Sequence, residues 1–180
     1  MKKKHAALAA AGLLILAAGS LALQSCKSMK PAGAVPVQSF DASKYLGTWH
    51  EIARFDYKFE RGLEQVTANY SLKKNGDIRV ENKGYKVAEG KWKSAIGIAK
   101  FREGKDVAAL KVSFFGPFYA GYNVVAIDPG YHYALVAGES LEYLWLLSRE
   151  KTMPENVKQD YLQKAKAIGY DVDKLIWVKQ

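Results

Sequence analysis

The feature that most constrains this chain is an alternation of apolar and polar side chains that recurs from one segment to the next. In QVTANYSLK, residues 65–73, Val66, Ala68 and Tyr70 share one face and polar side chains occupy the other. Successive side chains of an extended strand point to opposite faces, so this period predicts a strand with one buried face. Asn75-Gly76 then predicts a tight hairpin turn into the next strand.

Further strands are predicted along the rest of the chain, with short turns or glycine-bearing loops between them. Strands that follow one another with short connections pair as an antiparallel meander. We therefore predict an all-β fold, an eight-stranded antiparallel up-and-down barrel, which can hold one small ligand or be filled by its own side chains. The remaining strands are GTWHEIARF, the segment with Ile78 and Val80, EGKWKSAIGIAKF, VAALKVSFF, YNVVAID, YHYALVAG, EYLWLLSR and a short ninth strand, KLIWVK.

A C-terminal helix, packed outside the barrel, is predicted after the eighth strand. Thr152 and Glu155 fit a capping box, and Pro154 falls in the first turn. Gly169 can end the helix. Both faces of YLWLLS are apolar, so we expect the helix to cover the outer face of that strand. The apolar stripe of the helix recurs at helical spacing, at Val157, Tyr161, Ala165 and Ile168.

The N-terminal part of the chain differs in composition from the rest. Residues 1–25 have a basic head and an apolar run, which predicts a signal peptide, with an uncleaved membrane span as the alternative. The sequence LQSC resembles the lipobox of bacterial lipoproteins, which implies that Cys26 is the lipidated first residue of the mature chain. Residues 26–39, rich in Pro, Ala, Gly and Ser, predict a flexible tether, and residues 40–180 the barrel domain.

The lipobox resemblance also implies a location. Lys27, not Asp, follows the cysteine, so the resemblance to outer-membrane lipoproteins implies sorting to the outer membrane, with the protein lipid-anchored and facing the periplasm. The membrane, contacted through the lipid anchor, is therefore one expected partner.

Composition argues against several functional classes. Cys26 is the only cysteine, so the mature domain has no second thiol for a disulfide, a metal or a nucleophile. The three histidines, His5, His50 and His132, are far apart, and no Ser/His/Asp arrangement stands out. We expect no metal site, no cofactor and no catalysis. No dense run of Lys and Arg is interleaved with aromatic residues, so we expect no nucleic-acid partner.

One segment, YLGTWHEIARF, resembles the first signature of the lipocalins through Gly47 and Trp49. The resemblance is to the bacterial lipocalins, the outer-membrane lipoprotein branch related to apolipoprotein D and to the plant temperature-induced lipocalins. It continues through KVSFFGPFYAGYNVVAID and YLWLLSRE to the final IWVK. It therefore covers nearly the whole predicted domain and implies the lipocalin barrel.

The resemblance assigns structural roles to three residues. Trp49 is implied to plug the closed end of the barrel and to pack against Arg149, where a guanidinium over an indole face is favourable. Gly47 is implied to let the chain turn in tightly beside them. The second signature departs from the family's Thr-Asp-Tyr, because a turn, Asp128-Pro129-Gly130, precedes Tyr131.

The inward faces of the predicted strands line a candidate ligand cavity. Small residues at Ala68, Gly97, Ala99 and Ala126 leave room rather than fill it. An apolar cavity with a few tyrosine hydroxyls suits an acyl chain with its polar head near the mouth. The resemblance implies fatty acids or lysophospholipids as ligands. By parity the ligand-binding residues are Val66, Ala68, Tyr70, Ile78, Val80, Leu110, Val112, Phe114, Tyr122, Val124, Tyr143 and Trp145.

The predicted function is non-covalent lipid binding, for carriage, scavenging or membrane maintenance at the outer membrane. Two alternatives stay open: binding of another small hydrophobic ligand, such as a haem or pigment, and a ligand-free envelope protein that acts through its surface. The aromatic segment FFGPFY, residues 114–119, also leaves several roles open. It can rim the pocket, contact lipid, form a homodimer contact or fold back into the end of the barrel.

Parity also assigns three polar residues of the first strand. Glu51 has the parity of Trp49 and should point inward, either to hold a polar group of a ligand or to satisfy backbone groups at the barrel floor. His50 and Arg54 have the opposite parity and should face outward.

Overall fold

A computed structural model describes residues 28–180, so the predicted signal peptide and Cys26 lie outside the described residues. The described chain contains nine strands and two α-helices, with short 3₁₀ turns at Val87–Glu89 and Val172–Lys174. The helices are α1 (Ala42–Tyr45) and α2 (Glu155–Ile168). The strands are β1 (Gly47–Phe55), β2 (Leu63–Leu72), β3 (Ile78–Lys86), β4 (Lys91–Phe101), β5 (Ala109–Phe115), β6 (Phe118–Ile127), β7 (Tyr133–Ala137), β8 (Leu144–Ser148) and β9 (Leu175–Trp177).

The sheet closes into a barrel because β1 pairs on both sides. Its first half, Gly47–His50, pairs with β2, and its second half, from His50 to Arg54, pairs with β8. β9 adds to β1 at Ala53–Phe55, where β1 has separated from β2. Gln180 Nε2 donates hydrogen bonds to main-chain oxygens of both β1 and β2 across that gap. The predicted eight-stranded antiparallel barrel with a short ninth strand is therefore confirmed.

The connections between strands divide the barrel into two ends. The β1–β2, β3–β4, β5–β6 and β7–β8 connections lie at one end, which we call the mouth. The β2–β3, β4–β5 and β6–β7 connections lie at the other end with α1, and we call that end the floor. This division follows from the up-and-down order, since each strand runs opposite to its neighbours.

The helix α2 packs against the outside of the barrel, as its apolar stripe predicts. Tyr161 and Ala165 are buried in a cluster that also contains Leu144 and Leu146, the outward side chains of β8. Gly169 ends the helix with a φ of +111°, a left-handed conformation that glycine adopts without steric cost. Within residues 28–180, neither helix is long and apolar enough to cross a bilayer.

The predicted capping box does not form. α2 begins at Glu155 with Pro154 at the N-cap, and no side chain caps the first turn. The residue before a proline is disfavoured in the helical region, so the helix cannot begin at the position that Thr152 would cap. The main-chain oxygen of Thr152 instead accepts a 2.8 Å hydrogen bond from Ser148 Oγ.

The described part of the predicted tether, residues 28–39, lies against the barrel, and we call it the N-terminal strap. Val37 makes main-chain hydrogen bonds to the β4–β5 connection and to β6. Ala34 is fully buried in the cluster beneath α2. Met29 O accepts a 2.9 Å hydrogen bond from Asn123 Nδ2. The strap has no helix or strand, as its composition predicts. The prediction of a free flexible tether over these residues is wrong, because small apolar side chains of the strap are buried against the barrel.

Two β-bulges reverse the parity expected from the sequence. The β1–β8 register shifts between Glu51 and Ala53, and Arg54 beyond it points inward, only 2% exposed. The β6–β7 register shifts between Val124 and Ala126, and Ala126 joins the cluster beneath α2. One extra residue on a strand turns the following side chains to the opposite face. The expected outward position of Arg54 and inward position of Ala126 are therefore wrong.

Candidate ligand-binding cavity

The floor of the barrel is closed by a tryptophan beneath a guanidinium. Trp49 is fully buried, and the guanidinium carbon of Arg149 lies 3.9 Å from the centroid of its ring. Trp49 Nε1 donates a 2.8 Å hydrogen bond to Tyr45 O. Arg149 donates four hydrogen bonds to main-chain oxygens around the floor. These contacts join α1, the start of β1 and the β6–β7 connection, so this end is held shut.

Gly47 and Tyr131 hold the chain on either side of Arg149. Gly47 has a φ of +91°, and a Cβ there would lie 3.4 Å from Arg149 Nη1. Tyr131 O accepts a 3.2 Å hydrogen bond from Arg149 Nε, and Tyr131 OH accepts one of 2.8 Å from Asp41 N. The tyrosine of the altered second signature thus lies at the floor.

Above the floor, the interior holds a cavity of about 850 Å³ that opens at the mouth. Binding sites for small molecules usually measure roughly 300–1,000 Å³. The walls are mainly apolar, with both aliphatic and aromatic side chains, and small side chains at Ala68 and Ala99 keep the space open. Eleven of the residues predicted to bind ligand line this cavity: Val66, Ala68, Tyr70, Ile78, Val80, Leu110, Val112, Phe114, Tyr122, Tyr143 and Trp145.

Val124 is the one predicted lining residue that does not reach the cavity. It is fully buried in the interior apolar cluster that contains Trp49. β6 runs from the mouth to the floor, and Val124 lies toward its floor end, where large side chains fill the barrel. The parity of β6 correctly predicts that Val124 points into the barrel, but it does not show how far along the barrel the side chain lies. The prediction that Val124 lines the cavity is therefore wrong.

Three tyrosine hydroxyls form a polar cluster at the bottom of the cavity. Tyr122 OH lies 2.6 Å from Tyr45 OH and 2.7 Å from Tyr70 OH. Burial raises the pKa of all three hydroxyls above the ordinary tyrosine value. They stay neutral at physiological pH and satisfy one another. A ligand that reaches the bottom therefore meets aromatic rings and uncharged hydroxyls.

A buried ion pair stands in the cavity wall. Glu51 and Arg54 are 4% and 2% exposed, and Arg54 Nη1 donates a 2.7 Å hydrogen bond to Glu51 Oε1. Arg54 Nη2 donates to the main-chain oxygens of Glu60, at 2.7 Å, and Leu63, at 3.3 Å. Glu51 therefore points inward as expected, but its carboxylate pairs with Arg54 and not with backbone groups at the floor.

Glu60 brings a second carboxyl group to the same wall. It lines the cavity, and its Oε2 accepts a 3.2 Å hydrogen bond from Trp145 Nε1. Burial raises the pKa of both glutamates, the charge of Glu60 raises the pKa of Glu51 further, and Arg54 opposes both shifts. The positive charge of Arg54 thus acts on both carboxyl groups. Their raised pKa values favour the retention of a proton on one of them.

A line of aromatic rings runs from the cavity wall to the rim of the mouth. The ring of Trp145 stacks on Tyr143 with centroids 6.3 Å apart, and Tyr143 meets Tyr57 at 4.8 Å. Tyr57 meets Phe59 at 5.3 Å, and Phe59 lies 6.0 Å from Phe115. The β1–β2 connection therefore reaches across the mouth to the β5–β6 hairpin. Phe115 and Phe118 of the FFGPFY segment rim the cavity, whereas Phe114 packs inside the barrel.

Lysine side chains surround one side of the mouth. Lys58, Lys83, Lys86 and Lys93 all line the opening. Lys93 Nζ lies 2.7 Å from a carboxylate oxygen of Glu89, an acidic residue on the same side. The rim next to β2, β3 and β4 is therefore mainly cationic.

Comparison with known proteins decides the family. The chain matches the family described as a lipocalin-like domain over residues 40–180. This protein is a lipocalin. It is 52% identical over 169 residues to "Outer membrane lipoprotein Blc" of Escherichia coli (strain K12), an alignment that covers 93% of this chain and 96% of that protein. It is 36% identical over 149 residues to "Temperature-induced lipocalin-1" of Arabidopsis thaliana, covering 77% of this chain and 78% of that one.

The lipocalin fold is shared with solved structures of lower identity. Insecticyanin from the tobacco hornworm Manduca sexta superposes with a TM-score of 0.63 at 22% identity, over 82% of this chain and 84% of that one. Lipocalins are binding and carrier proteins, so membership gives this chain the binding of a small hydrophobic ligand in its barrel. Within residues 28–180, no cluster of three His, Cys, Asp or Glu side chains could hold a metal ion.

The β1–β2 connection contributes lining residues that the two-residue period of the strands does not predict. Tyr57, Phe59 and Glu60 line the cavity, although none belongs to a strand. A signal for them exists in FDYKFE, because three aromatic residues at every second position are unusual in an exposed loop. Arg54 was missed because the bulge that turns it inward has no local mark in the sequence.

Proposed function

We propose that this lipocalin binds, non-covalently in its barrel, a lipid with one long acyl chain: a fatty acid or a lysophospholipid. The observation that carries the proposal is the cavity of about 850 Å³, closed at the floor, apolar along its walls and open at the mouth. Each CH₂ group transferred from water into such a site contributes about 0.8 kcal/mol. A long unbranched chain therefore gains most from this shape.

The charges of the cavity support binding with the acyl tail inward. Arg54 is already paired with Glu51, and the raised pKa values of Glu51 and Glu60 favour a proton on one of them, so this wall has no net positive charge to hold a carboxylate or phosphate that loses its hydration deep in the barrel. Lys58, Lys83 and Lys93 offer donors for the same groups at the mouth. The head group then lies at the rim, and the tail reaches down toward the tyrosine cluster.

The proposed location is the outer membrane, with Cys26 lipidated and the barrel in the periplasm. LQSC followed by Lys27 supports this, as does 52% identity to a protein named an outer membrane lipoprotein. A lipid-binding barrel held there is suited to carriage, scavenging or membrane maintenance. We propose binding without catalysis, because the buried carboxyl groups of the cavity have structural partners in Arg54 and Trp145.

The direct test is to purify the protein, extract it with organic solvent and identify the released molecules by mass spectrometry. We expect a fatty acid or a lysophospholipid in near-stoichiometric amount. An absorption spectrum of the same preparation is the second measurement, since a visible band with no extracted lipid would favour a haem or pigment. Protein free of ligand, with no saturable fatty-acid binding, would favour a protein that acts through its surface.

Titrations can use residues 28–180. This portion contains the closed sheet, both helices and both apolar clusters, so it has a complete hydrophobic core of its own. It lacks Cys26 and therefore needs no detergent.

A further inference from the structure

We propose that the mouth of the barrel docks on the surface of an anionic phospholipid bilayer, so that the cavity opens directly onto the leaflet that holds the anchor. The proposal goes beyond ligand binding. Its argument from position rests on the proposed lipidation of Cys26, whereas its arguments from surface chemistry do not.

The large apolar side chains that the barrel exposes are concentrated at the mouth. Phe59, Phe115 and Phe118, which we call the mouth patch, are 62%, 66% and 78% exposed. At the floor, among the strands and connections of residues 40–180, only Leu72 is a comparably exposed large apolar residue. Adjacent exposed aromatic rings mark an interaction surface. Further exposed apolar side chains at the mouth end are Val87, Trp92 and Leu141.

Cations stand directly beside these rings. Lys58 Nζ lies 5.0 Å from the ring centroid of Phe59, and Lys83 Nζ lies 4.6 Å from that of Trp92. Aromatic rings favour the level of the lipid head groups, where neighbouring ammonium groups meet phosphate oxygens. The combination therefore fits a lipid surface with anionic head groups better than a neutral one.

The acidic side chains of the β1–β2 and β3–β4 connections are paired with cations or turned into the cavity. Asp56 Oδ2 accepts a 2.9 Å hydrogen bond from Arg61 Nε. Glu89 is paired with Lys91 and Lys93, at 2.9 and 2.7 Å. Glu60 is turned into the cavity toward Trp145. Glu139 and the exposed Glu142 lie on the opposite side of the mouth, in the β7–β8 connection. The cationic side chains of the β1–β2 connection and of the mouth ends of β3 and β4 thus lie at the opening beside the mouth patch.

Traced backward along the chain, the N-terminal strap runs from the floor toward the mouth. Its floor end lies below β5, where Phe40 N donates a 2.7 Å hydrogen bond to Asp106 O. It ends beside β6, where Met29 lies so close to Gly121 that a Cβ on residue 121 would overlap Met29 O. Gly121 stands three residues from Phe118, the first residue of β6 at the mouth, which is roughly 10 Å along a strand.

This path limits where the anchor can be. Cys26 precedes Met29 by three residues, so the two Cα atoms lie at most about 11 Å apart. From Gly121 the same reach extends to the mouth, but β6 continues about 20 Å to its floor end at Ile127. The floor end of β6 lies beyond the reach of Cys26 from Gly121, whereas the mouth end lies within it. This path therefore favours a bilayer against the mouth half of the barrel.

Docking is tested by flotation of residues 28–180 with vesicles of phosphatidylethanolamine and phosphatidylglycerol, and with vesicles of phosphatidylcholine alone. We expect binding to the anionic vesicles, since the mouth supplies both rings and cations. The double variant Phe115→Ser and Phe118→Ser should reduce the bound fraction at least about tenfold, because two exposed rings lose their apolar area. Leu72→Ser, the matched change at the floor, should bind as the parent does.

Orientation is tested with an environment-sensitive fluorophore on a single cysteine, because residues 28–180 contain no other. Gly116→Cys labels the tip of the β5–β6 hairpin, where a Cβ meets nothing within 4 Å, and Lys74→Cys labels the floor. We expect a blue shift with anionic vesicles for the first label alone. Equal shifts at both sites, or unchanged flotation of the double phenylalanine variant, would overturn the proposal.

Two further measurements distinguish docking on a bilayer from dimer formation and from ligand binding. If sedimentation shows a dimer that the double phenylalanine variant dissociates, and the parent does not float, a second copy of the chain covers the mouth patch and the proposal fails. Val112→Trp, which fills the cavity, should lose fatty-acid binding and still dock. Docking in the absence of ligand binding thus distinguishes failure of the proposed function from failure of this inference.

Discussion

Arg54 Nη1 donates a 2.7 Å hydrogen bond to Glu51 Oε1 inside the barrel, although residues three apart on a regular strand point to opposite faces. The bulge between Glu51 and Ala53 brings both side chains to the interior. There Arg54 also donates hydrogen bonds to the main-chain oxygens of Glu60, in the β1–β2 connection, and of Leu63, the first residue of β2. The pair therefore fixes one side of the mouth as well as neutralising a buried carboxylate.

The first prediction removes the cation of this pair. Arg54→Met should lower the free energy of unfolding by about 3–5 kcal/mol near neutral pH, because Glu51 is left buried without its partner. Urea denaturation measures the change. Arg79→Met is the control, since the Arg79–Glu81 pair is 36% and 40% exposed and should contribute less than about 1 kcal/mol. Equal losses in the two variants would show that the buried pair has no special role.

The second prediction concerns pH. Burial and the neighbouring Glu60 raise the pKa of Glu51 in the folded state above its ordinary value of 4.5. The folded protein then binds this proton more tightly than the unfolded chain, so the free energy of unfolding falls as the pH rises from about 4.5 through the folded pKa. Glu51→Gln cannot titrate and should flatten this fall. Parallel pH profiles for the parent and Glu51→Gln would contradict this prediction. Glu81→Gln, at an exposed glutamate, is the control.

The barrel could be predicted from the sequence because a two-residue period persists along almost every strand, and each run of it determines which side chains face inward. The same period fails at Arg54 and Ala126, since a bulge depends on how two strands pair and leaves no mark in either one. It also fails for Phe59 and Glu60, which lie in a connection without any period. Ala34 and the rest of the N-terminal strap show a third limit: composition predicts irregular backbone, but burial depends on a surface built by distant elements.

The third prediction tests the floor. Trp49→Ala should lower the free energy of unfolding by about 3–5 kcal/mol, because a fully buried indole leaves a cavity. Arg149→Ala removes the partner of that ring, so the double variant should lose less than the sum of the two single losses. Trp177→Ala, at a position 50% exposed, is the control and should cost about 1 kcal/mol or less. Simple additivity of Trp49→Ala and Arg149→Ala would mean that the observed stacking does not couple them.

The fourth prediction tests the N-terminal strap. Gly121→Val places a side chain where Met29 O now lies and should lift the strap from β6. The amide of Val37, which donates to Val124 O, should then exchange its hydrogen faster, by roughly tenfold or more. Gly116→Val, at a glycine with open space around it, should leave that exchange rate unchanged. If Val37 exchanges equally slowly in both variants, the strap is held independently of its contact at Gly121.

The last prediction tests the cavity by placing the same bulk inside and outside the barrel. Ala68→Trp and Val112→Trp project into the cavity, whereas Ser71→Trp and Lys111→Trp project from the outer faces of the same strands. The inward pair should lose fatty-acid binding while the barrel stays folded, because an open cavity can accept an indole with limited strain. The outward pair should bind nearly as the parent does. Affinity in the parent should rise about fourfold for each added CH₂, at about 0.8 kcal/mol per group, until the chain outgrows the barrel. Fluorescence-displacement titrations across acyl lengths measure both effects. Equal affinities for the inward and outward variants, or no dependence on chain length, would place the lipid outside the barrel.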